Sequence, residues 1–231
     1  MSVILHFGDV QVTSMDLDSL APKEWVGDGV IQFYYEFLEK SVCLPHAKEM
    51  LLLQPAVAFL IANSQDPRQL RDALPPDLVF KKVIFIPINN SNGGQGGGSH
   101  WSLLCFFRPL NTYYYYDSMG VANLDYAKQA MRSLHDLVGD QENPSLVCIE
   151  TPVQVNAHAS LPLVGYDCGV YVIAITELLC LRIIDRDFNA LEKPQDPSLW
   201  KLDHCISPHS ISEKRTLIRN LISELAEKWK H

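Results

Sequence analysis

One stretch restricts the fold more than any other. "HWSLLCFF" and "TYYYYD" are rich in aromatic residues, and only Arg108-Pro109-Leu110-Asn111 separates them. Two such runs about a proline-containing turn predict a β-hairpin. If Arg108 faces Asn111, facing residue numbers sum to 219 and Ser102 stands opposite Asp117. Side chains two apart share a sheet face, so His100 joins that face as a diagonal neighbour of Asp117, about 7–8 Å away at Cα and within side-chain reach. A slip of one residue would send the two to opposite faces, so the pairing depends on the turn.

Around this hairpin the hydrophobic period changes several times. From Val30 the spacing in residues 22–40 is helical, with Asp28 as the expected N-cap. "QPAVAFLIAN" predicts a helix over 54–63 with Pro55 in its first turn, and "PRQLRDAL" a short third one. "KKVIFIPIN" reads as a buried strand, "LDYAKQAMRSLHDLV" as a helix and "SLVCIETPVQV" as a strand with its exit. "DCGVYVIAITELLCLRII" is apolar nearly all round and too long for a strand, which makes it a buried helix. Leu217, Ile218, Leu221, Ile222, Leu225 and Trp229 outline a terminal amphipathic helix over about 211–229, with Ser212 as its cap. Helices, then a mainly antiparallel sheet, then helices make an α+β pattern. We expect a single domain over 1–231, its core about 10–225.

Composition narrows the function classes. The chain has 231 residues, 47% of them hydrophobic and 20% charged, which are globular values. Its net charge of −8 and the lack of a basic block argue against nucleic acid or an anionic membrane as partner and suit a partner with a basic face. "MSVILHFGDV" has no secretory pattern, and the six cysteines show no paired spacing, so a reducing cytoplasmic or nuclear setting is expected. His204, Cys205 and His209 are the nearest approach to a metal set, but they lack a second cysteine pair. No metal or cofactor is expected, and nothing suggests more than a monomer.

A carboxylate bonded to one imidazole nitrogen fixes the tautomer and leaves the other nitrogen to act as a base. His100 and Asp117 meet that description, though surface pairs and core histidines do as well. Cys168 opens the apolar helix, where unpaired N–H groups and the helix dipole favour a thiolate. Gly169 beside it permits close approach of a substrate carbonyl. The alternative is an inert buried thiol like Cys180. Residues 91–98 hold five glycines in eight positions. No lysine follows them as a phosphate loop requires. A lid over an extended substrate and a plain surface loop both remain open.

His100-Trp101-Ser102, Asp117 and Asp167-Cys168-Gly169 together resemble the cysteine proteases that process ubiquitin-like modifiers. Trp25-Val26-Gly27-Asp28 resembles their Trp-Leu-Asn-Asp element, "FIPINNSNGGQGGGSHWSLL" their strand, loop and histidine, and "YYYDS" their aspartate strand. The resemblance covers about residues 10–225. It is strongest to the compact deneddylase branch, the sentrin-specific proteases acting on the neddylation modifier, because the long N-terminal extension usual in SUMO-processing members is absent. It implies a papain-like α+β fold with Cys168 as nucleophile, His100 as base, Asp117 as its orienter and Gln154 as oxyanion donor. Asp28 and Gly169 would belong to the substrate-binding surface. Trp25 and Trp101 would roof a tunnel that admits only a Gly-Gly tail. The reaction would cleave the peptide or isopeptide bond after the modifier's terminal glycine.

Two departures qualify the match. Trp-Val-Gly-Asp lacks the asparagine of the family element. The family pattern Gln-x-Asn-x-x-Asp-Cys-Gly is also interrupted by "AHASLPLV", residues 157–164. Lengthening the Gln154-to-Cys168 segment costs only about 0.75 kcal/mol in loop closure. Displacing Gln154 would cost roughly 2.7–4 kcal/mol in the transition state. The insert is thus expected either to bulge outward or to disturb the oxyanion site. A modifier-binding protein with impaired catalysis, a SUMO-specific protease and a same-fold acyltransferase stand as alternatives. The tryptophan elements argue against the acyltransferase, since a small acyl donor has no use for them.

Overall fold

The computed structural model describes residues 2–91, 98–138, 142–154, 165–186, 197–202 and 204–229. A short hairpin opens the chain, β1 (Val3–Phe7) against β2 (Val10–Thr13), followed by helix α1 (Ser14–Asp18). The sequence reading did not include these elements. Each is five residues or fewer, too short for periodicity to distinguish from loop. Helix α2 (Asp28–Ser41) begins one residue earlier than its expected cap implies. Gly27 holds the N-cap position, and Asp28 occupies the first helical turn, where its charge meets the positive end of the helix dipole.

The central sheet has the order β3-β4-β5-β6-β7, formed by Met50–Leu52, Val83–Asn89, Trp101–Phe107, Thr112–Tyr116 and Ser145–Ile149. The two inner pairings, β4–β5 and β5–β6, are antiparallel, whereas β3–β4 and β6–β7 are parallel. The sheet is therefore mixed rather than mainly antiparallel. The parallel pairs arise because α3 (Pro55–Asn63) and α4 (Leu124–Val138) lie in the connections that return the chain to the sheet. Phe107 pairs with Thr112 and Leu103 with Tyr116, which is the register deduced from the turn. Asn111 closes that turn in the left-handed region, φ 44°, a conformation asparagine tolerates better than most residues.

Both sheet faces are covered, so β4, β5 and β6 are apolar almost throughout. Phe85, Leu103, Cys105, Phe107 and Tyr116 pack against α2, α5 (Cys168–Ile184) and α6 (Pro208–Trp229). Ile84, Ile86, Leu104, Phe106 and Tyr115 pack against α3 and α4 on the other face. Helix α5 is buried along most of its length, as its uniform hydrophobicity required. Helix α6 starts at Pro208, so Ser212 lies inside it and does not cap it. The third helix expected from "PRQLRDAL" is a 3-10 helix over Pro67–Ala73. No helix among the described residues is long and apolar enough to cross a membrane.

Candidate active site

The hairpin register delivers two side chains to one end of the sheet. His100 immediately precedes β5 and Asp117 immediately follows β6. Their side chains are both buried and meet at 2.6 Å, from His100 Nε2 to Asp117 Oδ1. Asp117 is held from every side. Its Oδ1 also accepts the Met119 N–H at 2.8 Å, and its Oδ2 accepts the Tyr115 hydroxyl at 2.6 Å and the Asn123 N–H at 3.1 Å. Burial alone would raise the carboxyl pKa, but these donors and the imidazolium charge hold it below the usual range. Burial likewise works against the charged form of His100. Hydrogen bonding and charge from Asp117 and Cys168 outweigh it and push the imidazole from 6.5 up to about 9. His100 Nδ1 has no hydrogen bond of full geometry among the described residues. Cys168 is near enough to act on the ring, and catalytic hydrogen bonds are commonly long in unliganded sites.

Cys168 is the first residue of α5 and only 5% exposed. Helix geometry leaves the first N–H groups of α5 without partners inside the helix. Gly169 lets this end approach the tryptophan loop: a Cβ there would stand 3.0 Å from Val26 Cβ and 3.5 Å from Trp101 Cδ1. Its missing side chain thus serves packing of the helix against Val26 and Trp101. A groove of about 630 Å³ runs over Cys168. Trp25, Val26, Asp28, Phe59, Trp101 and Tyr126 line it together with Cys168. Trp25 is 47% exposed and Trp101 only 7%, so one tryptophan of the lining stands largely in solvent and the other is packed into the core. Burial raises the Asp28 carboxyl above its ordinary pKa, its own backbone N–H opposes this, and the charge of Asp16 adds to the rise.

Gln154, to which the resemblance assigns the oxyanion, is bonded to the residue before Cys168. Its N–H donates to the Ser118 carbonyl at 3.1 Å, and its Oε1 accepts the Asp167 N–H at 3.2 Å. That second bond ties the side chain to the residue before Cys168. Its Nε2 is buried and has no partner among the described residues, the state expected of a donor kept for a substrate oxygen. Gly165 makes the room, since a Cβ there would fall 2.0 Å from Gln154 Cδ. Gly165→Ala is therefore expected to push Gln154 aside and lower kcat by about 10²–10³, with KM little changed. Steady-state kinetics on the purified variant checks this. The insert at 157–164 lies outside the described residues; on either side of it, Gln154 and Asp167 are joined by the hydrogen bond above.

The glycine-rich segment, at residues 92–97, also lies outside the described residues. The residues flanking it are tied together. Asn90 Oδ1 accepts the N–H groups of Ser99 at 2.7 Å and His100 at 3.0 Å, and Asn90 Nδ2 donates to Ser99 Oγ at 3.1 Å. Gly98 is pressed against Asn89, where a Cβ would fall 1.5 Å from Oδ1. His100 is thereby tied to the end of β4 through Asn90. Among the described residues, no three His, Cys, Asp or Glu side chains gather as a metal ion would require.

Residues 24–202 match the model of the Ulp1 protease family, C-terminal catalytic domain. This chain belongs to the Ulp1 protease family. Sentrin-specific protease 8 of Rattus norvegicus is 31% identical over 229 residues, covering 98% of this chain and 96% of that protein. NEDD8-specific protease 1 of Arabidopsis thaliana is 32% identical over 180 residues, 77% of this chain and 75% of that one. NEDD8-specific protease 2 of Schizosaccharomyces pombe is 32% identical across 96% of this chain and 51% of its own length. Among solved structures, the SUMO protease Ulp1 with its catalytic cysteine oxidised to a sulfenic acid superposes with a TM-score of 0.63 at 20% identity, covering 98% of this chain and 89% of that one. A Chaetomium thermophilum Ulp1-like SUMO protease catalytic domain gives 0.61 at 18% identity, over 96% and 83%. These two establish the fold, the papain-like cysteine protease architecture of the family.

Three residues of this Ulp1-family site escaped the sequence reading. Tyr115 reads in the sequence as part of an aromatic strand, yet it lies two residues before Asp117 on the same face and donates to its carboxylate. Asn123 donates its side-chain amide to the carbonyls of Ile88 at 3.3 Å and His100 at 3.1 Å, and nothing in its sequence context marks it. Arg215 did leave a signal. The buried positions of α6 include Ile211, Arg215, Ile218, Ile222 and Ala226, a helical stripe in which one core position is a cation.

Proposed function

We propose that the protein is a cysteine peptidase that cleaves after the C-terminal Gly-Gly of a ubiquitin-like modifier, and that the modifier is NEDD8. The observation that carries this reading is the meeting of the buried His100–Asp117 pair, Gln154 and the Cys168 helix end beneath a groove walled by Trp25 and Trp101. The Cys168 thiolate attacks the glycine carbonyl carbon. The carbonyl π electrons move to oxygen, where Gln154 Nε2 and the first amides of α5 receive the charge. Protonated His100 gives its Nδ1 proton to the leaving amine as the C–N bond breaks, leaving a thioester on Cys168. His100 then takes a proton from water, whose oxygen attacks the thioester and releases the carboxylate and Cys168.

Support for NEDD8 comes from the relatives at 31–32% identity, named as sentrin-specific protease 8 or as NEDD8-specific proteases. The SUMO protease structures stand at 18–20%. Placement of Gln154 beside Asp167 speaks against a protein that binds but does not cleave. The reading includes a reducing cytoplasmic or nuclear setting, which six free thiols, two of them exposed, support.

NEDD8, SUMO and ubiquitin probes carrying a thiol-reactive C-terminus test the proposal in parallel, with Cys168→Ala as control. A Cys168-dependent adduct with the NEDD8 probe is expected. An adduct with SUMO alone would replace the modifier assignment. Binding without any adduct would replace the peptidase reading with the non-catalytic one.

A further inference from the structure

Asp167 occupies the N-cap of the helix that carries Cys168, and aspartate is among the strongest capping residues. Its carboxylate does not cap: no side-chain hydrogen bond reaches the first turn of α5. It turns instead to Arg215, whose Nε and one terminal nitrogen both reach Asp167 Oδ1 at 2.9 Å. The guanidinium, 5% exposed, spends its other donors on backbone. It reaches the Tyr166 carbonyl at 2.8 Å, and those of Ser19 and Ala21 at 3.0 and 3.2 Å. One cation from α6 therefore grips the two residues before the nucleophile and the chain leading to Trp25.

We propose that Arg215 is a positioning residue that draws the Asp167 carboxylate off the N-terminus of α5, so that the first amides of that helix stay free for the charge formed in the reaction. The inference rests on the reading of Cys168 as nucleophile. Without the cation, Asp167 has a favourable alternative close at hand. By rotating its side chain it can accept from the N–H groups of Gly169 and Val170, the usual targets of an N-cap. A carboxylate in that place both occupies the amides and sets a negative charge beside Cys168, opposing the thiolate and the substrate oxyanion. Asp167 cannot simply be viewed as a helix stabiliser in this arrangement, because its capping and the chemistry compete for the same donors. Arg215 decides between them, and its five-donor fork suits the task better than a lysine would.

The arrangement predicts suppression, which a role confined to folding does not. On a NEDD8 C-terminal fluorogenic amide, Arg215→Met is expected to lower kcat about 10²–10³-fold while KM changes less than about threefold, the scale of losing oxyanion donors. Adding Asp167→Ala to that variant is expected to restore kcat at least about tenfold, on the scale of regaining one such donor, without raising the thermal midpoint. Arg215→Lys, which keeps a cation beside Asp167, covers the case in which the methionine variant does not fold. It is expected to lose less than the methionine variant and to gain less from Asp167→Ala. Suppression that fails in both backgrounds, or wild-type kcat in Arg215→Met, would overturn the inference alone. A wild-type protein that turns over no probe would overturn the reading of Cys168 beneath it.

Discussion

Cys168→Ser is expected to fold normally and to lose about 10⁶ in kcat/KM, the scale on which removal of a nucleophile acts. One atom changes, yet the hydroxyl holds its proton far more tightly than a thiol does, so no thiolate–imidazolium pair forms with His100. The substitution reports on His100 as well. Its pKa reaches about 9 partly through hydrogen bonding and charge from Cys168. Removing that share leaves Asp117 alone to oppose burial, and the imidazole titrates below its wild-type value. Active-site-titrated progress curves measure the first effect and NMR of the ring nitrogens the second. Turnover within tenfold of wild type would remove Cys168 from the chemistry.

The second large effect is expected at Asp117→Asn, a loss on the order of 10⁴ in kcat. Asparagine looks conservative, since many papain-like sites use it. Here it is not. Asp117 accepts two donors on each carboxylate oxygen: His100 and Met119 on one, Tyr115 and Asn123 on the other. An amide offers one acceptor oxygen, so its NH₂ must face two other donors in a buried place. Either His100 or the Tyr115–Asn123 pair loses its acceptor. The pH profile moves too. His100 rises from 6.5 to about 9 on folding, so its protonation adds stability that is complete below pH 6.5 and lost as pH rises through 9. In Asp117→Asn that contribution shrinks, so the alkaline fall in stability still begins near pH 6.5 but is smaller and ends at lower pH. Thermal midpoints between pH 6 and 10 display the shift. An unchanged profile would mean that Asp117 does not set the charge of His100.

Local patterns made most of this architecture readable. The turn from Arg108 to Asn111 set the β5–β6 register, and the register alone placed His100 beside Asp117. The length and uniform apolarity of α5 located its start at Cys168. What stayed hidden depends on contacts between distant segments. Gln154 and Arg215 reach Asp167 from opposite directions in the chain, and no period links such positions. Whether residues 157–164 would disturb Gln154 was undecidable from loop length, because closure entropy is nearly indifferent to it. The parallel edges of the sheet were missed for a related reason. Strand direction depends on where the intervening helix lies, and the strand residues do not record it.

Burial divides the six thiols into three classes, and this bears on how the protein could be inhibited. Cys43, Cys105 and Cys180 are sealed in the core, and burial raises the last two well above the ordinary thiol range. Cys148 and Cys205 are open to solvent. Cys168 belongs to neither class, being covered yet placed at the floor of a groove. A small diffusing electrophile meets the two surface thiols first, so total labelling is a poor measure of engagement. Selectivity has to come from the shape of what carries the warhead. A carrier shaped to the groove that Trp25, Trp101 and Cys168 line separates Cys168 from the exposed thiols by geometry, even with a mild electrophile.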